Sequence, residues 1–290
     1  MSSPDNSQFD QQQTHGPDPI GQDPQTPTPY ISTSLPTPPV ASPPIENPPW
    51  SGWDVLLIVG LTFFTILISQ FAILFGAKYF FYRQASLADL AQEPLLLLIS
   101  QFVIDGAVAL FLVVLVEGKY RVRFWNAIRW NWPTSEWRLL TVGVVMLLAL
   151  SWLENILPMP RDTPFDKLLE RPRDAYLLAI IAISLGPLVE ELFFRGFFYP
   201  VLARRWGAAW GVFLTALPFA LMHMPQYGYA WGALMVVLIV GIVCGVVRAV
   251  TRSVGASFLV HVGYNGMQML IAVAVTHGFT RMPTSLLEIR

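Results

Sequence analysis

The sequence predicts an all-α protein: a polytopic transmembrane helical bundle of about seven spans, preceded by a disordered proline-rich N-terminal tail. Three observations carry that prediction. Of the 290 residues, 54% are hydrophobic and only 13% charged, against roughly 25% charged in an ordinary soluble domain. Apolar runs long enough to cross a hydrocarbon core of ~30 Å recur from Trp50 onward. The first 49 residues hold thirteen of the 24 prolines and no lysine or arginine. A net charge of −1 and the lack of any repeat exclude a nucleic-acid binder, a collagen and a coiled coil.

Residues 1–49 interleave proline with Ser, Thr, Gln and Asp. Such a stretch buries too little apolar surface to offset its ordering entropy, so it is read as disordered, with polyproline II character. It has neither the basic start nor the apolar core of a signal peptide. A solvated leader is the plain reading and a partner-binding tail the alternative. Removing residues 1–48 is expected to take away no hydrophobic core and no motif.

Residues 50–174 then supply N-terminal transmembrane helices and interfacial segments. Asp54–Ala77, Pro94–Val116 and Leu139–Leu157 are the first three spans. Gln84–Glu93 and Glu117–Arg138 read as interfacial. The second of these sets Trp125, Trp130, Trp132 and Trp137 among basic residues, a composition suited to the headgroup zone. Ala175 to about Arg205 exceeds one span, and Gly186-Pro187 and Pro200 predict bends in it. Gly207–Met224, Tyr229–Val250 and Gly255–His277 complete the set. Gly207/Gly211 and Gly241/Gly245 have the spacing that lets helices approach closely. The single cysteine, Cys244, excludes an intramolecular disulfide and is read as a buried small hydrophobe. Loop charge favours a cytoplasmic N-terminus only slightly.

Charge inside hydrocarbon is costly, so each instance asks for a reason. Asp105 and Glu154, each alone in a span, are read as helix–helix hydrogen-bonding groups. The segment Gly186-Pro-Leu-Val-Glu190-Glu191-Leu-Phe-Phe-Arg195-Gly196 differs. Glu191 and Arg195 are i,i+4 neighbours and can form a structural ion pair, whereas Glu190 points about 140° away from Arg195 and is free for other work. His223 and His261 both lie in spans, and His261 and Asn265 share one helix face. Glu190 sits about 15 residues, or roughly 22 Å of helix, before the Arg204-Arg205 turn, and His223 a similar distance after it. Those depths make a shared polar cluster within the membrane feasible.

Glu190-Glu191-x-x-x-Arg195, Phe219-x-x-x-His223 and His261-x-x-x-Asn265 resemble, in order and spacing, the three motifs of the CPBP family, the CAAX-processing and bacteriocin-processing intramembrane proteases, also called Abi. The resemblance covers about Ala175–His277, within a catalytic transmembrane core taken as residues 175–290. It implies an intramembrane endopeptidase that cleaves a membrane-associated or lipidated protein, integral to a bacterial plasma membrane, with lipid and no nucleic acid as partner. Carried over by position, Glu190 and His223 activate the attacking water, and His261 and Asn265 stabilise the oxyanion. The family is often classed as metalloprotease. Glu190, His223 and His261 are then the three ligands to a zinc or other divalent ion, but the metal-free site is favoured here, because His261 and Asn265 are better explained as oxyanion donors. No HExxH is present. A non-catalytic scaffold or immunity protein of the same fold, and a proton-coupled transporter using Glu190, His223 and Asp105, are the alternatives. An intact motif set argues against the first, and the lack of inverted repeats against the second.

Overall fold

The computed structural model describes residues 46–160 and 163–281. The leader up to residue 45 lies outside the described residues, and with it the reading of that stretch as disordered. The described residues form helices and no strand. Helix α1 spans Gly52–Phe80, opened by Ser51, whose N–H and O–H both donate to Asp54. A one-turn helix α2, Leu87–Leu90, is capped by Ser86. Helix α3, Pro94–Val113, starts on a proline whose missing N–H costs nothing there, and widens into a π turn over Val114–Lys119. After the short α4, Phe124–Ala127, come α5, Glu136–Glu154, and the one-turn α6, Pro164–Lys167.

The next path, Pro172–Trp206, is 35 residues long and built in four pieces. These are α7, Pro172–Ile183; α8, Leu185–Glu191; a π segment, Leu192–Phe198; and α9, Tyr199–Trp206. The break falls at Ser184, where ψ is −83°. Pro187 has no N–H for the carbonyl four residues before it, so the α ladder cannot run through. The π segment ends just before Pro200, which withdraws a second donor. Helices α10, Ala208–Met222, α11, Trp231–Thr251, and α12, Val254–Val275, follow.

Among the described residues, six helical stretches are long and apolar enough to cross a membrane: α1, α3 with its π turn, α5, α7–α9, α11 and α12. The sequence reading of about seven includes α10, which has only 15 residues. That is roughly 22 Å, short of a full crossing. It stops at His223, and the chain turns over residues 223–230 before α11 begins.

Glycines set two close crossings. A Cβ on Gly143 of α5 would lie 2.2 Å from the Val260 carbonyl oxygen, and one on Gly263 of α12 2.3 Å from that of Leu140. On α11, Gly241 faces Phe219 and Ala216 and Gly245 faces Val212. Gly211 meets Ala203. Gly207 departs from the packing reading: its surroundings are open and its φ is +85°, so it is the turn glycine between α9 and α10.

The end of the segment read as tail is docked on the bundle. The Glu46 carboxylate meets Arg129 and Arg248, each at 3.0 Å. Arg204 donates to the Pro48 and Trp50 carbonyls at 2.7 and 3.1 Å. The Trp50 indole donates to the Phe197 carbonyl at 2.8 Å and stacks on the Phe197 ring. These contacts tie residues 46–50, which the sequence reading places at the end of the tail and the start of the first helix, to the bundle. At the same end, Asp54 pairs with Lys119 and Tyr120, and Trp125, Trp130 and Trp132 stack edge to face.

Candidate active site

Four helical pieces bring the polar residues together. Glu190 and Glu191 close α8, Arg195 sits one turn on in the π segment, His223 caps α10, and His261 and Asn265 lie on α12. The two adjacent carboxylates have separate partners. Arg195 Nη1 donates to Glu191 Oε1 at 2.9 Å, and Arg195 Nη2 donates to the Gly241 carbonyl at 2.8 Å. The guanidinium also lies over the Phe219 ring, 4.5 Å from its centroid. Both members of this pair are fully buried. Glu190 instead faces two imidazoles. Its Oε1 is 3.9 Å from His223 Nε2 and its Oε2 3.7 Å from His261 Nε2.

The other nitrogen of each ring is occupied. His223 Nδ1 is 2.8 Å from the Phe219 carbonyl oxygen, and His261 Nδ1 is 3.0 Å from Glu191 Oε1. A carbonyl only accepts, so the His223 hydrogen is on Nδ1. Its Nε2 is then the nitrogen turned toward Glu190. At 3.7 and 3.9 Å there is no direct hydrogen bond between Glu190 and either ring.

Asn265 has a different neighbour. Its Nδ2 donates to the Ala182 carbonyl at 2.7 Å, in the last turn of α7 before the break at Ser184. That bond ties α12 to the bend, and it leaves the second amide hydrogen uncommitted by it. Asp105 is buried on α3, accepts from Gln101 at 2.8 Å, and lies within electrostatic reach of Glu190. Glu154, at the end of α5, lies within reach of Tyr227.

Two contributors carry no chemical signal of their own. Phe219 is the first residue of the Phe219-x-x-x-His223 motif, and its ring is the common wall of the site: it touches Arg195, Phe194, His223 and His261. Gly241 supplies the carbonyl that fixes Arg195, and its lack of a side chain lets Phe219 approach, since a Cβ there would stand 3.0 Å from the ring.

A carboxylate and two imidazole Nε2 atoms, each ring anchored through Nδ1, are donor types that suit zinc. Glu190, His223 and His261 would hold such an ion, which would supply Lewis-acid polarisation of a carbonyl or of water. The spacing is loose, because the two rings approach opposite oxygens of Glu190. Among the described residues, the ligand-type atoms gathered within 4.8 Å are those of Glu191, Cys244 and His261. That set does not fit a cation, since Glu191 Oε1 already carries the Arg195 guanidinium.

The bundle thus holds a half-buried carboxylate, Glu190, that faces two histidines between apolar helices. The comparison with known families is more specific. Residues 172–267 match the family model described as type II CAAX prenyl endopeptidase, Rce1-like. The matched stretch runs from the first turn of α7 to the middle of α12, and its likeness to that family supports a CAAX-type membrane endopeptidase in general. No curated protein and no solved structure matches the chain.

Proposed function

We propose that this chain hydrolyses a peptide bond of a membrane-anchored protein within the bilayer, using a water activated by Glu190 and His223. The observation that carries the reading is the separation of the two carboxylates: Glu191 is engaged by Arg195, while Glu190 faces two imidazoles at 3.7 and 3.9 Å. The water is held between Glu190 Oε1 and His223 Nε2. Its oxygen attacks the carbonyl carbon as Glu190 takes its proton. The carbonyl oxygen becomes the oxyanion, and Asn265 is the group placed to donate to it, while His261 Nε2 lines the site beside Glu190. When the tetrahedral intermediate collapses, the C–N bond breaks and Glu190 returns the proton to the leaving amine. His223 stays oriented by the Phe219 carbonyl throughout. The apolar walls from Phe194 and Phe219 exclude bulk water, which strengthens each polar contact inside. A lipid anchor on the substrate suits a site buried among helices of this hydropathy.

The test is cleavage of a membrane-anchored peptide by the purified chain in lipid nanodiscs. Glu190→Gln keeps the shape but cannot take the proton, and a loss of about 10²–10⁴-fold is expected. Retention of more than about a tenth of the rate would remove Glu190 from the role. In the same assay, wild-type turnover is expected to survive chelation. Stoichiometric zinc together with chelator-reversible activity would move water activation to a metal held by Glu190, His223 and His261.

A further inference from the structure

Beside Glu190, the second carboxylate of the pair is in contact with the reacting side of the site as well as with Arg195. Glu191 Oε1 accepts from Arg195 Nη1 at 2.9 Å and meets His261 Nδ1 at 3.0 Å. All three side chains are buried, the most exposed at 4%. The guanidinium cannot drift, because its other nitrogen is on the Gly241 carbonyl and its plane rests on Phe219. The carboxylate is thus fixed from one side and the imidazole from the other. A carboxylate paired with a guanidinium is ionised and only accepts, so the hydrogen between Glu191 and His261 belongs to Nδ1.

We infer that Glu191 is a positioning residue for His261. It selects the tautomer with hydrogen on Nδ1 and holds the ring so that Nε2 faces Glu190 and the reacting atoms, while Arg195 orients Glu191 in turn. This deepens the proposed function and rests on it for the meaning of Nε2. The Glu191–Arg195 pair is then more than a structural brace: it is the outer part of a relay of contacts, Arg195 to Glu191 to His261, that ends 3.7 Å from Glu190. Whatever Nε2 does during turnover, Nδ1 stays bound to the protein, as in other carboxylate–imidazole pairs whose loss leaves the ring in the wrong tautomer.

The chain has only four histidines, so ¹⁵N-histidine labelling in nanodiscs gives a readable spectrum, with His261 assigned by its loss in His261→Asn. Wild-type protein is expected to show His261 protonated at Nδ1. Glu191→Gln presents either an oxygen or an NH₂ to the ring, so the fixed tautomer is expected to be lost. In that variant kcat should fall on the order of 10²–10⁴-fold with KM changed only a few-fold. Hydrogen on Nε2 alone in the wild type would overturn the inference, and that spectrum decides even if Glu191→Gln does not fold. A folded Glu191→Gln with an unchanged His261 spectrum and unchanged kcat would also overturn it, reducing Glu191 to a brace for Arg195. The Glu190→Gln variant separates this inference from the proposed function. It should keep the wild-type His261 tautomer whether or not it retains activity, so the two readings fail independently.

Discussion

Residues 190 and 191 carry the same side chain and reach different partners because a helix turns about 100° per residue. Glu191 lands over Arg195, one turn ahead, and Glu190 swings toward α10 and α12, where the two histidines stand. Relations of this kind lie within one helix, and spacing alone states them. The partners across helices are another matter. The Gly241 carbonyl under Arg195, the Ala182 carbonyl under Asn265 and the Phe219 ring between the histidines are set by how helices face each other, which no local spacing encodes. Asn265 shows the consequence. One amide hydrogen is spent on Ala182, so the role as oxyanion donor falls to the other. If that role holds, Asn265→Ala should lower kcat by on the order of 10²–10³ with little change in KM, because such a donor acts mainly in the transition state. If Asn265 serves only to tie α12 to the bend in α7, the variant should melt earlier in detergent and cleave at the wild-type rate per folded molecule. Steady-state kinetics beside a thermal melt separates the two.

At the scale of elements, six spans were legible as long apolar runs, and so was the break near Gly186-Pro187, because length, hydropathy and a missing N–H are local properties. The end of α10 is read two residues late: the sequence reading carries the span to Met224, whereas the helix ends at Met222, with Pro225 close behind it. The tightest crossing was not legible. Glycines at residues 143 and 263 belong to no short-range pair; each matters because the other helix's backbone fills the space. This crossing governs the site, because Gly263 lies midway between His261 and Asn265. An added methyl there meets the Leu140 carbonyl, a backbone atom that cannot rotate away. Helix α12 must then withdraw from α5 and carry both site residues with it. Displacement of about 1 Å at a reacting group costs on the order of 10²-fold. Gly263→Ala is therefore expected to lose at least that much activity. Gly266→Ala, three residues along the same helix, should be nearly silent, since its Cβ would meet only Ile183 at 3.9 Å. Equal effects of the two substitutions in the cleavage assay would show that helix propensity, and not the crossing, sets the outcome.

At the scale of the whole chain, residues 46–50 are held by side chains from far along the sequence. Arg129, Arg204 and Arg248 converge on them. Arg248 is 1% exposed, and the carboxylate it meets is Glu46. Removing one partner of a buried ion pair costs roughly 3–5 kcal/mol, because the remaining charge is left in apolar surroundings. Trp50 adds a second tie, with its indole on the carbonyl of Phe197, in the same π segment that holds Arg195. Composition could not reveal these contacts: Glu46 to Pro49 look like the rest of the proline-rich stretch, and their partners are three arginines far along the chain. A deletion series follows from them. Removing residues 1–45 should leave the detergent melting temperature and the cleavage rate unchanged. Removing residues 1–49 takes Glu46 and the Pro48 carbonyl away from Arg248, Arg129 and Arg204, and should lower the melting temperature by several degrees. Glu46→Gln in the full chain should reproduce most of that loss, since it removes the charge and keeps the backbone contacts. Activity should fall only as far as the folded fraction does, because the contacts of Glu46 and Pro48 are to Arg129, Arg204 and Arg248 and not to the site residues, and Trp50 still holds Phe197. A full-stability 1–49 deletion would show that Arg248 finds another partner. A stable but inactive one would mean that the docked strand shapes the π segment, and through Arg195 the site itself.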